Sequence, residues 1–189
     1  IPFDIYAAAI GRIKDAIAAG DTYQVNYTFP LRATFEGDPW ALFADLAAAQ
    51  RAEYCAYVDL GRFAVCSASP ELFFRLDGST LTARPMKGTA SRGLTPDDDR
   101  RQSDWLRNSE KNRAENVMIV DMIRNDFGRI ARTGSVSVPA LFTIERYPTL
   151  LQMTSTVTAE TTAPLSEILA ATFPCASITG APKVGTMRI

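Results

Sequence analysis

Histidine is absent from the 189 residues, and cysteine occurs only three times, as Cys55, Cys66 and Cys175. Without histidine the commonest general base is missing. The cysteines show no CxxC spacing, so the usual Cys and His ligands of a zinc site are also lacking. Cys55 and Cys66 could face each other across a hairpin turning at Leu60-Gly61, but the plainer reading is three reduced thiols of a cytoplasmic protein. Neither sign of charge dominates: the formal net charge is −1, which speaks against a nucleic-acid or anionic-membrane surface built on bulk electrostatics. No apolar run approaches the roughly 20 residues that a membrane span needs. What is present, 47% hydrophobic and 22% charged residues, is the composition of a globular chain with a full core. The length predicts one domain. The sequence begins at Ile1 rather than Met and ends at Ile189 in what reads as a first helical turn, so a segment of a longer protein is expected.

Residues 5–19 read as a helix, with Ile5, Ala9, Ile13 and Ile17 recurring every fourth position and Gly20 as the stop. Alternation of Tyr23, Val25, Tyr27 and Phe29 with polar neighbours predicts a strand over 22–35. Asp38 and Pro39 start a helix running to about residue 50. Strands are expected at 54–59 and 63–67, and at 72–76 and 80–84 around the hairpin signal Asp77-Gly78. Thr95 opens a polar helix and Ser109 a longer one to about residue 129. Short strands at 135–138 and 151–158, a helix at 165–172 and a loop at 174–182 complete the chain. Strand clusters separated by helices predict an α+β fold.

Four segments place polar residues where periodicity alone does not ask for them. In Ser69-Pro70-Glu71, Glu71 stands at the mouth of an apolar strand, where desolvation favours the protonated carboxyl that a general acid needs. A solvated loop glutamate fits the same pattern. In Arg84-Pro85-Met86-Lys87-Gly88-Thr89, Lys87 ends a strand, Gly88 permits close backbone approach and Thr89 adds a hydroxyl. A lysine so placed is either a nucleophile in a pocket or a surface lysine. In the third segment Glu115, Ile119 and Met122 share a helical stripe. An inward carboxylate must be paired or bind a metal, and without His the metal of choice is oxygen-ligated Mg2+. An ion pair with Lys111 or Arg113 is the competing reading. The fourth, Ser177-Ile178-Thr179-Gly180-Ala181-Pro182-Lys183, offers free backbone N–H groups at a helix start, but lacks the Gly-Lys-Ser/Thr ending of a Walker loop.

Taken together and in this order, these segments resemble the chorismate-binding family, which includes anthranilate synthase large subunits, aminodeoxychorismate synthase component I, and isochorismate and salicylate synthases. The resemblance runs over nearly the whole chain. It rests on Gly20-Asp21-Thr22-Tyr23-Gln24-Val25-Asn26, Ser69-Pro70-Glu71, Pro85-Met86-Lys87-Gly88-Thr89 and Lys111-Asn112-Arg113-Ala114-Glu115-Asn116. It continues in Ile119-Val120-Asp121, Arg124-Asn125-Asp126 and the Ser177–Lys183 loop. It implies two packed β-sheets flanked by helices, of which residues 1–189 form the central part of the catalytic domain, truncated at both ends.

Within the family, anthranilate synthases carry Ala where Lys87 stands, and aminodeoxychorismate synthases typically carry Lys. The resemblance therefore implies conversion of chorismate and ammonia to 4-amino-4-deoxychorismate, for p-aminobenzoate and folate synthesis. Lys87 is then the covalent nucleophile and Glu71 the general acid. Glu115 is a ligand of Mg2+, and Gly88, Thr89, Thr179, Gly180, Ala181 and Lys183 are substrate contacts. The resemblance also implies a glutamine amidotransferase subunit as the partner that supplies ammonia; this chain has no Cys–His pair of its own. Two rivals stand beside this reading: another synthase of the family making anthranilate, isochorismate or salicylate, and a non-catalytic truncated module. The sequence departs from the family at Gln152, where many members carry His, so a titrating role there is doubtful. The family's later arginine, glycine-rich carboxylate loop and second Mg2+-binding glutamate have no counterpart in residues 1–189. The isolated segment is therefore expected to be inactive.

Overall fold

The computed structural model describes all of residues 1–189. It divides them into two compact units, one of residues 1–29 and 73–189 and one of residues 30–72. No helix is long and apolar enough to cross a membrane.

The larger unit is organised around one long strand. Eleven residues, Leu150–Glu160, form β8, whose odd positions Leu151, Met153, Val157 and Ala159 are almost wholly buried. Its even positions, Gln152, Thr154, Thr156 and Thr158, carry polar groups, which is the two-residue alternation of a strand with unlike faces. On one side β8 pairs antiparallel with β5 (Thr80–Arg84) at one end and β6 (Met86–Ser91) at the other. On its opposite side it pairs with β7 (Ser137–Arg146). With β4 (Leu72–Asp77) beside β5, the sheet has five strands.

Helix α4 (Glu110–Gly128) packs against β6 and β8. It starts because Ser109 accepts a hydrogen bond from the Asn112 N–H, satisfying one of the donors that open every helix. Ile119, Val120, Ile123 and Phe127 of α4 meet Leu81, Ala83, Val157 and Ala159 of the sheet and Ile168 of α5 (Leu165–Thr172) in the main core. A second cluster joins Leu106 of α3 (Pro96–Asn108) to Ala90, Leu151 and Met153. The N-terminal helix α1 (Phe3–Ala19) ends at Gly20 in the left-handed conformation, as its sequence signal predicts.

The predicted strand over 22–35 is largely absent. Only β1 (Gln24–Val25) forms, paired with β9 (Gly180–Ala181). The remainder alternates correctly but meets no ladder partner. Conversely, β6 and most of β7 exceed the sequence expectation. Pro139 argues against a strand, yet β7 bonds only to β8 and its register shifts between Ser137 and Ala140, so an edge position and a bulge absorb the proline. A helix of four residues, α6 (Lys183–Thr186), closes the described chain.

The smaller unit holds α2 (Pro39–Gln50), β2 (Tyr54–Asp59) and β3 (Ala64–Ser69). Asp38 caps α2 by accepting from the Trp40 N–H at 3.0 Å. The β2–β3 hairpin turns through Leu60 and Gly61, but Cys55 lies opposite Ala68 and Cys66 opposite Tyr57. The two thiols are thus offset by two residues, and all three cysteines are free. Trp40, Phe43 and Tyr57 stack on one another with centroids 5.2–5.7 Å apart.

Candidate active site

Lys87 follows Pro85 and Met86 into β6, and there the ladder breaks. Met86 pairs with Thr154 and Thr89 with Gln152, so Lys87 and Gly88 together stand opposite Met153 alone. This is a β-bulge, a device that re-aims a side chain at the cost of regular pairing. Gly88 has φ +99, and a Cβ there would sit 3.0 Å from the Asn112 Cβ and 3.3 Å from a Leu106 methyl. Both the conformation and the crowding call for glycine.

The bulge carbonyls find side-chain donors. Asn116, fully buried on α4, donates from Nδ2 to the Lys87 carbonyl at 3.3 Å. Its Oδ1 accepts from Ser155 Oγ at 2.5 Å, and Ser155 Oγ in turn accepts from the Phe142 N–H at 3.2 Å. Gln152 donates from Nε2 to the Gly88 carbonyl at 2.9 Å and accepts from Thr89 Oγ1 at 2.9 Å. The Lys87 ammonium donates to the Ser177 carbonyl at 3.2 Å. Lys87 and the Ser177–Lys183 loop are thereby brought together, as are Gly88 and Thr89.

The loop itself is held from several directions. Thr179 Oγ1 donates to the Cys175 and Ala176 carbonyls, both at 3.3 Å. Gly180 and Ala181 lie in the β9 ladder, and the Ala181 carbonyl accepts from the Tyr23 N–H and from buried Thr22 Oγ1. Lys183, expected as a substrate contact, is committed elsewhere. Its ammonium donates to Asp126 Oδ2 at 2.6 Å, the Pro174 carbonyl at 3.2 Å and the Thr172 carbonyl at 3.3 Å. An ammonium has three donors, and all three are used inside the protein. Burial pushes the Asp126 carboxyl above the usual carboxylate range, while the Lys183 ammonium pulls against that shift.

Glu115 is half-buried, and its carboxylate stands 3.9 Å from the Lys111 ammonium one helical turn earlier. This is the ion-pair arrangement that competes with metal binding. No group of three or more His, Cys, Asp or Glu side chains converges to hold a metal ion. A single accessible carboxylate can offer a metal ion no more than one ligand residue, and Glu115 stands alone in this respect. Glu71 belongs to the smaller unit, at the turn after β3, where its N–H donates to Ser69 Oγ at 3.2 Å.

Sequence reasoning gave Asn116 no role of its own, noted Gln152 only as a departure without assigning what it does, and missed the network around Glu145. The Glu145 carboxylate pairs with Arg84 and accepts from Thr154 Oγ1 at 2.8 Å and Tyr147 OH at 3.0 Å. The signal available was an unbroken buried run, Leu151–Ser155, that includes three polar residues. Buried polar groups need partners.

Comparison with known proteins identifies the family of the chain. The chain is 45% identical over 186 residues to "Aminodeoxychorismate synthase component 1" of Escherichia coli K12, covering 97% of this chain and 41% of that protein. It is 38% identical over 182 residues to "Anthranilate synthase component 1" of Aquifex aeolicus, covering 95% of this chain and 37% of the relative. The chain thus spans about two fifths of the length of these curated relatives. The crystal structure of anthranilate synthase component I from Streptococcus pneumoniae TIGR4 superposes with a TM-score of 0.81 at 27% identity, covering all of this chain and 42% of that one. The profile of the chorismate binding enzymes matches residues 1–189, from end to end. The α+β fold and the motif order therefore have one explanation: the chain belongs to the family of chorismate binding enzymes.

Proposed function

We propose that this chain supplies the reacting residues of an aminodeoxychorismate synthase, which converts chorismate and ammonia to 4-amino-4-deoxychorismate on the route to p-aminobenzoate and folate. The observation that carries the reading is Lys87 itself: an amine on a bulge of β6, in a chain more similar to the Escherichia coli aminodeoxychorismate synthase component than to the Aquifex anthranilate synthase component. Ammonia comes from glutamine through an amidotransferase, the partner that similarity to an aminodeoxychorismate synthase component implies.

In this reading Lys87 Nζ gives up a proton to solvent and attacks C2 of the chorismate ring while the C4 hydroxyl departs. Glu71 protonates that hydroxyl, and proton donation to so poor a leaving group contributes about 10²–10⁴-fold in rate. Ammonia then adds at C4 and the lysine leaves C2. Thr89, Thr179 and the backbone of Gly88, Gly180 and Ala181 line the substrate side, and Lys183 serves by holding the loop. Glu115 would supply one ligand to a Mg2+ ion, whose charge would offset that of the substrate's ring carboxylate.

The test is Lys87→Ala in the full-length protein that contains this chain, with products separated by chromatography. Loss of aminodeoxychorismate formation by about 10³-fold or more is expected for removal of a covalent nucleophile. Unchanged formation removes the covalent step. Anthranilate or isochorismate as the wild-type product removes the reading as a whole.

A further inference from the structure

The geometry points to Asn116 and Gln152 as positioning residues that aim Lys87 by holding the two carbonyls of its bulge. The inference rests on the lysine reading above and goes beyond it, because neither side chain is required to touch substrate.

A bulge inserts one residue that the opposing strand cannot pair. Here Lys87 and Gly88 share a single partner residue, Met153. Buried backbone carbonyls without partners are costly, and an unrestrained bulge can relax by rotating its peptides. Rotation of either peptide swings the Lys87 side chain. Two amides prevent it from opposite directions, Asn116 from α4 onto the Lys87 carbonyl and Gln152 from β8 onto the Gly88 carbonyl.

Each amide has only one workable orientation. A carbonyl must accept, so the NH2 end faces the bulge in both cases. The remaining oxygen of Asn116 takes the Ser155 hydroxyl proton, and that of Gln152 the Thr89 hydroxyl proton. The Asn116 arm continues through Ser155 to the Phe142 N–H. Phe142 has φ +60 and lies in a register shift of β7, on the other side of β8. One buried chain of hydrogen bonds therefore ties irregularities on both flanks of the central strand. An amide does not titrate, so this support is the same at every pH at which the enzyme works. The property needed at position 152 is an N–H donor, not a proton acceptor.

The experiment compares Gln152→Leu, Gln152→Glu, Gln152→His and Asn116→Asp in the full-length protein, with Lys87→Ala as reference. Leu and Glu remove the donor, and Glu keeps the shape and the acceptor for Thr89. His restores an N–H. Misplacing a reacting group costs up to about 10²-fold, so Gln152→Leu, Gln152→Glu and Asn116→Asp are expected to lower kcat about 10–100-fold. KM for chorismate is expected to stay within about threefold, and Gln152→His to recover most of kcat. If Gln152→Leu fails to fold, the near-isosteric Gln152→Glu and Asn116→Asp carry the measurement. Variants as active as the wild type, or a His variant as impaired as the Leu variant, overturn the inference while Lys87→Ala remains inactive. Retained activity in Lys87→Ala overturns the lysine reading instead. Faster backbone amide exchange in residues 86–91 of Gln152→Leu then still reports whether the bulge is held.

Discussion

At the scale of single residues, two buried carboxylates respond to pH in opposite ways. Asp99 receives a two-pronged contact from Arg92, with N–O distances of 2.6 and 3.0 Å, and a further hydrogen bond from the Gly93 N–H. The Arg92 hydrogen bonds and then the Gly93 N–H hold its carboxyl below the ordinary range. A depressed value means that the stabilisation is complete above the unfolded-chain value of about 3.9 and is lost as pH falls through the lowered folded value. The expected result for Asp99→Asn is a gap from wild type, read from urea midpoints, that is level above about pH 5 and closes below about pH 4. A gap that widens on acidification contradicts the assignment. Asp126 has the opposite sign, since its value is raised by burial, and its pairing with Lys183 offsets part of that cost. The Lys183 motif was visible in the sequence, but its use was not. A lysine beside a glycine-rich loop looks the same whether its ammonium turns outward or spends three donors inside.

At the scale of elements, what the sequence revealed depended on whether the signal was local. The starts of α2 and α4 and the end of α1 were legible because Asp38, Ser109 and Gly20 act on backbone groups within three residues. Strands at 22–35 and 137–146 were misjudged because a ladder partner lies far along the chain, and alternation does not reveal whether one exists. The short β1–β9 ribbon that does form depends on close approach. A Cβ on Gly180 would lie 2.2 Å from the Gln24 carbonyl oxygen and 2.6 Å from a Thr186 methyl. Gly180 also has φ +159. Gly180→Ala must therefore push the two strands apart, and overpacking of this kind costs about 1–3 kcal/mol or more. Thermal unfolding of the variant checks the size. The accompanying loss of the Thr179 carbonyl contact with the Asn26 N–H, now 2.8 Å, checks the location through faster exchange of the Asn26 amide.

At the scale of the whole molecule, stability is unevenly divided. Both apolar core clusters lie in the larger unit, and none of residues 30–72 is buried. Segments with few buried apolar contacts open with lower free energy. Amides of residues 30–72 are accordingly expected to exchange well before those of β5 and β8, which hydrogen-exchange mass spectrometry on the 189-residue chain can measure; equal protection would refute the division. The same chain leaves Phe3, Leu31, Tyr23, Leu94 and Phe173 at least 70% exposed. The composition foretold a core, and the core is there, but no compositional figure could foretell that so many large apolar side chains stay uncovered in these residues.

The bulge in β6 has a consequence for how this strand can vary. Met86 and Thr89 keep their partners on either side of it, so the insertion is silent to the rest of the sheet. A chain shortened by Gly88 can zip β6 to β8 without a gap and still look like the same fold. It would have lost the jog at Lys87 and the carbonyl that Gln152 holds, so foldedness and chemistry are separable here by a single glycine.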